Sequence, residues 1–247
     1  MLFRSGEYHI IPILFRPFDV KYTVLTNKSS GFLGRPRYST MIQMCFDFQN
    51  YALLVGRQNK SDTIDSFLVT DLASEMKCAE RTIQSYHLPL FIAETDMIHN
   101  TLRPKANFST DIVKCLEQHL GLKMDWHQQS VSNGFSAVDV LDYIYAILYS
   151  EDYRKQYKNQ LKIDFPRIPY PKDAIYFFTL AALGRELREL HLMHNTLDEG
   201  NITYEPGENS MVEVPKYKAD SIIINKTGAR FTNVPSDIWN MGMGGYQ

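Results

Sequence analysis

No stretch of this sequence stays apolar long enough to cross a bilayer, and its start, MLFRSGEYHIIPILFRPFDV, is broken by charge and proline before it can read as a signal peptide. Cysteine is scarce. Cys45, Cys78 and Cys115 lie far apart with no C-x-x-C pair, which excludes a disulfide framework and a zinc ribbon and fits a reducing, cytoplasmic setting. Pro-Pro dipeptides are missing, and with them the Asn- or Asp-Pro-Pro-aromatic loop with which amino-methylating enzymes that use S-adenosylmethionine hold the target amine. There is no P-loop, no H-E-x-x-H, no G-x-S-x-G and no G-x-G-x-x-G after a strand. The stretch Gly242-Met243-Gly244-Gly245 lacks a following helix.

What is present is enough for an ordered body: 247 residues, 44% hydrophobic and 13% aromatic. The formal charge of −2 argues against a generic nucleic-acid binder, but charge is segregated along the chain. Residues 1 to 40 hold six basic and two acidic side chains, and residues 216 to 231 hold four and one. Between them, residues 194 to 213 carry only acids, five in number.

The first part, 1–107, reads as strands: YHIIPILF, KYTVLT, YALLVG, SFLVT and YHLPLFIA combine β-branched and aromatic residues between turn formers. Within it RPRYSTMIQMCFDF carries a short helix, with Met41, Met44 and Phe48 at helical spacing. The period changes over 108–195. STDIVKCLEQHL predicts a helix whose apolar stripe is Ile112, Cys115, Leu116 and Leu120, ended by Gly121. SAVDVLDYIYAILYS predicts another, with Ser136 and Asp139 as a capping box and Ser150 recapping a further helix; a third runs from about Lys172 to His194. The segment 196–247 returns to strands in MVEVPKYK, DSIIIN and ARFTNVP. The expected class is α+β: a β-rich part, a helical middle and a short β-rich end packed as one unit.

Two isolated clusters carry little. Asp71, Glu75 and Lys77 have the residue types of a magnesium-dependent nuclease, but chance places such a triplet in most chains of this length; His191 and His194 could share a helical face but lack clear third and fourth metal ligands.

Two stretches are more specific. One is FRPFDVKYTVLTNKSSGFLGRPRYSTM, where cations alternate with aromatics and glycine turns; the other is VLDYIYAILYSEDYRKQYKNQLKIDFPRIPYPKD. Arg16-Pro17-Phe18-Asp19, Arg35-Pro36-Arg37, Asp142 to Tyr153, Asp164 to Pro169, and the closing Phe231, Val234-Pro235, Ile238-Trp239 and Gly244-Gly245-Tyr246-Gln247 together resemble the C-terminal target-recognition region of Type ISP-like restriction–modification proteins, which methylate the exocyclic amine of adenine. The Met-rich MGMGG departs from the family pattern, where an aromatic or basic residue often precedes the glycines.

That resemblance implies a domain without catalytic or metal-binding residues of its own that selects a short double-stranded DNA sequence for a methyltransferase domain in the same polypeptide. S-adenosylmethionine would belong to that other domain. Arg16, Lys21, Lys28, Arg35, Arg37 and Arg57 become candidate phosphate contacts. Asn225, Lys226, Thr227, Arg230 and Asn233, clustered around a late turn, become candidate base readers. Trp239 and Tyr246 are expected in a core or domain interface. Pro166, Pro169 and Pro171 stiffen a connector, with Phe165 and Ile168 packed inward, that the resemblance casts as a strut between recognition lobe and methyltransferase body. A protein-interaction module whose acidic segment docks a basic partner is the alternative.

Overall fold

The computed structural model describes residues 9–28, 33, 35–60, 64–97, 99–127, 133–194 and 200–246. The first hairpin pairs β1 (His9–Arg16) with β2 (Asp19–Leu25) across a turn at Pro17-Phe18, with Phe18 held at φ 62°. A short helix, α1 (Tyr38–Met41), runs into a 3-10 turn over Ile42–Met44, and Met41 and Ile42 pack on Ile11, Leu25 and Ala73. Next come β3 (Ala52–Gly56), β4 (Phe67–Thr70), β5 (Ala73–Ser74), β6 (Ser85–Pro89), β7 (Phe91–Asp96) and β8 (Thr101–Ala106). β5 joins β1 in parallel, whereas β4, β3 and β6 form a separate antiparallel sheet in that order.

The single strand expected over YHLPLFIA is two. Leu90 turns its amide to Tyr51 O at 2.7 Å, so β6 stays beside β3 while β7 leaves to pair with β8.

The helical middle follows the expected caps at Ser136 and Ser150 and the expected glycine stop at Gly121, whereas Ser109 makes no side-chain cap bond. α2 (Thr110–Leu120) ends at Gly121, φ 65°. Its buried stripe is Val113, Leu116 and Leu120, and Ile112 is 47% exposed, one position off the expected set. Spacings of three and four residues are met by either phase, and the neighbouring elements chose between them. β9 (Met124–Asp125) and β10 (Phe135–Ser136) form a short parallel pair that leads into α3 (Ala137–Tyr149), where Ser136 and Asp139 make the full capping box. Ser150 then caps α4 (Glu151–Gln156), followed by α5 (Lys158–Leu161); Asp173 caps α6 (Ala174–His191). α3 is buried almost all round, and Gly184 of α6 lets that helix approach until a Cβ there would lie 1.9 Å from Asp142 O. One apolar cluster runs from Tyr51, Phe67 and Phe91 through Val113 to Tyr145 and Phe177, so the β-rich part and the helices share a core.

The last part is a four-stranded antiparallel sheet of β11 (Thr203–Glu205), β12 (Lys216–Lys218), β13 (Ser221–Ile223) and β14 (Arg230–Thr232), ordered β11-β14-β13-β12. Met211, Val212 and Val214, expected in a strand, are exposed and lie outside it. Ala219 and Asp220 link β12 to β13 with both φ positive, the two-residue hairpin turn that matches strand twist. α7 (Ser236–Trp239) closes the sheet, with Trp239 stacked on Tyr217. The tail then crosses back to the first part, where Arg81 N donates to Gly244 O at 2.8 Å and Tyr246 OH to Lys77 O at 2.8 Å. The fold is α+β. No helix among the described residues is long and apolar enough to cross a membrane.

Candidate nucleic-acid interface

Strand alternation sorts the late β region into two faces. The register places Lys216, Ile223, Arg230 and Glu205 in one cross-strand row and Lys218, Ser221, Thr232 and Thr203 in another on the same side. Tyr217, Ile222, Phe231 and Tyr204 fill the opposite side, where the Tyr204 and Phe231 rings lie 5.1 Å apart. One face is therefore polar with three cations, and the other is aromatic. Arg230 is paired with Glu205 (Nε to Oε2, 2.7 Å), whereas Lys216, Lys218 and Lys226 are exposed and have no ion-pair partner among the described residues. Lys216 and Lys218 were missed among the sequence candidates; the P-K-Y-K alternation is the signal that places them together.

Two of the expected base readers have other work. Asn225 is 5% exposed, its Nδ2 donates to Asn209 and to Met211 O, and its Oδ1 accepts from Thr227 N, Thr227 Oγ1 and Ala229 N. Its amide is spent on the turn and has nothing left for a base edge, so Asn225 builds the loop that presents Lys226. Asn233, at φ 58°, donates to Asn201 O at 2.9 Å and ties the end of β14 to the chain before β11. Thr227 and Arg230 keep exposed surface beside Lys226.

In the first part, Arg16 is committed internally. Its guanidinium donates to Glu75 Oε2 at 2.8 Å and to Phe15 O at 2.7 Å and lies 5.4 Å from the Tyr246 ring centre, a clasp between hairpin, β5 end and tail. Lys21 sits over the Phe15 ring, 3.8 Å from Asp19, with more than half of its side chain exposed. Lys28 is exposed and without an ion-pair partner among the described residues. Gly31 and Gly34 of the glycine turns lie outside the described residues, as do Asp198 and Glu199 of the acidic segment.

Arg35 and Arg37 stand on the rim of a cleft of about 420 Å³ floored by Ile11, Leu25, Met41 and Ala73. Arg37 occupies the left-handed region (φ 44°, ψ 46°), and its carbonyl accepts from Thr40 N and Met41 N to start α1. Its guanidinium faces the Gln84 amide and the Tyr86 ring. Arg57 bonds Asp164 of the proline connector at 3.0 Å, and the Phe165 amide together with Arg57 holds that carboxyl below its ordinary range.

The nuclease-like trio does not assemble. Asp71 pairs with His194 at 3.3 Å, Glu75 binds Arg16 and Lys77 N, and the Lys77 side chain is exposed. His191 Nδ1 shares a hydrogen bond with Tyr145 OH, and burial lowers its pKa. No three His, Cys, Asp or Glu side chains among the described residues converge to hold a metal ion.

With this arrangement in hand, comparison with known families is decisive: the model of the Type ISP C-terminal specificity domain matches residues 4–247. The chain belongs to that family. Solved structures share the fold of this specificity domain. The "ATP-dependent Type ISP restriction-modification enzyme LlaBIII bound to DNA" aligns over 100% of it at 18% identity and TM-score 0.71. A nuclease-deletion mutant of the Type ISP restriction-modification enzyme LlaGI, in complex with a DNA substrate mimic, aligns over 96% at 23% identity and TM-score 0.63. The DrdV–DNA complex aligns over 96% at 22% identity and TM-score 0.65. The specificity domain spans 15%, 16% and 22% of those three chains. No curated protein matches it.

Proposed function

We propose that this specificity domain recognises a short double-stranded DNA sequence on behalf of a larger restriction–modification enzyme and performs no bond chemistry itself. The family match over residues 4–247 carries the reading; the exposed cations of the RPR turn and of the C-terminal sheet supply its chemistry. Lys21, Lys28, Arg35, Arg37 and Arg57 meet phosphates and set the register, while Lys226, Thr227 and Arg230, with Lys216 and Lys218 on the polar sheet face, approach base edges. Arg16, Asn225 and Asn233 support these surfaces from behind.

On this reading the catalytic partner is a methyltransferase domain of the same cytoplasmic polypeptide, one that flips an adenine out of the duplex, and the methyl donor S-adenosylmethionine is held there. An interaction-module reading draws on a groove of about 440 Å³ along the connector, lined by Tyr157, Ile163 and Phe165.

The test is selection of bound duplexes from a randomised pool at low and moderate salt, with the domain alone and with its methyltransferase domain attached. Enrichment of one short motif, lost steeply with salt and weakened by Arg35→Ala or Arg37→Ala, supports recognition. No enrichment in either format favours the interaction module.

A further inference from the structure

The two most distinctive motifs of the chain, the RPR turn and the DFPRIP connector, meet through one residue that neither motif contains. Tyr86 lies on β6, an edge strand of the β4-β3-β6 sheet. The Arg37 guanidinium carbon is 5.9 Å from its ring centre, and the Phe165 ring meets it edge to face, with centroids 5.0 Å apart and planes at 75°. An arginine beside an aromatic ring is held by the ring quadrupole, and an edge-to-face neighbour fixes the orientation of that ring.

Phe165 is itself tightly placed although the residue is 38% exposed. Asp164 before it is paired with Arg57, and Asn59 N donates to Leu161 O at 3.0 Å. Pro166 after it restricts Phe165 to extended backbone. Farther along, Tyr153 OH and Tyr143 OH donate to the Arg167 and Pro169 carbonyls, each at 3.0 Å. At the other end, Arg37 sits in a backbone region that a non-glycine side chain leaves readily unless its surroundings hold it.

We propose that Phe165, acting through Tyr86, is a positioning residue for Arg37, so that the proline connector sets the aim of the RPR turn toward DNA. This rests on the reading of Arg37 as a DNA contact.

The test has two readouts. By NMR of the intact domain, the Arg37 side-chain Nε–H resonance carries the ring-current shift of Tyr86. It moves toward its free-arginine position in Phe165→Leu and stays in place in Phe165→Tyr and Tyr86→Phe, which keep the rings. In duplex binding, Arg37→Ala and Phe165→Leu each lower affinity for the selected motif, the latter about fivefold. Phe165→Leu costs nothing further in the Arg37→Ala background. An Nε–H resonance unmoved by Phe165→Leu, or additive losses, overturns the positioning while leaving Arg37 as a contact. Full binding by Arg37→Ala overturns the contact itself and the relay with it.

Discussion

His87 shows how one residue couples this fold to pH. It faces the same side of its sheet as its cross-strand partner Leu54, accepts or donates one hydrogen bond at Nδ1 with Ser74 Oγ at 2.7 Å, and leaves Nε2 buried without a partner among the described residues. Burial pushes its pKa from 6.5 down to about 4. The folded state keeps the ring neutral, whereas the unfolded chain takes up a proton below its own pKa. Stability from this site is therefore whole above pH 6.5 and declines as pH falls toward 4, by up to about 3 kcal/mol. Urea melts across that range will show the decline in the parent and a flatter profile in His87→Gln.

Asn225 makes the complementary point for the site. Asn225→Ala strips the turn of its side-chain hydrogen bonds and lowers stability by about 2 kcal/mol. Loss of DNA binding in that variant will track unfolding in a thermal melt, whereas Lys226→Ala will weaken binding with an unchanged melt. Cys78 is buried, and burial raises its thiol pKa to about 12.

Among elements, the α3–α6 contact organises the helical middle. Arg188 grips Asp142 through Nε at 2.6 Å and Nη2 at 3.1 Å and lies 4.6 Å from the Tyr51 ring centre, with burial pushing the carboxyl pKa up and the guanidinium opposing it. Tyrosines of the same stretch peg other elements by their hydroxyls: Tyr143 to Pro169 O, Tyr149 to Phe67 O at 2.7 Å and Tyr153 to Arg167 O. The connector expected to reach toward another domain is thus fastened across this domain's own helices. Ile168 packs against the core, while Phe165 reaches Tyr86 and remains partly exposed. Gly184→Ala tests the packing. Alanine favours the helix by about 1 kcal/mol, but its methyl would meet the Asp142 carbonyl at 1.9 Å, and the overpacking wins. Denaturant titration will show a net loss of about 2 kcal/mol or more.

At the scale of the whole molecule, the tail ties the C-terminal sheet to the first part. Gly244 has φ 58°, and a Cβ there would lie 1.9 Å from Ala79 O, so Gly244→Ala is opposed by both backbone and space. In that variant hydrogen exchange at the Arg81 amide, which bonds Gly244 O, will rise, while the β3 amides of the main core keep their protection. A net charge of −2 is compatible with DNA binding because the cations stand on the RPR turn and on one sheet face rather than being spread evenly.

Local chemistry was legible in the sequence by itself. The capping box at Ser136 and Asp139, the Ser150 cap, the glycine stop at Gly121 and the motifs that mark the family all depend on residues a few positions apart. Helix phase was less so, as Ile112 shows. Which cations are paired within the domain was decided by the tertiary structure alone. Arg16 meets Glu75 59 residues on, Arg57 meets Asp164 107 residues on, and Arg230 meets Glu205 25 residues back. Such pairs exist only once sheets and helices have closed over long loops, and no local period or cap carries that information; the same closure brought Arg37, Tyr86 and Phe165 together.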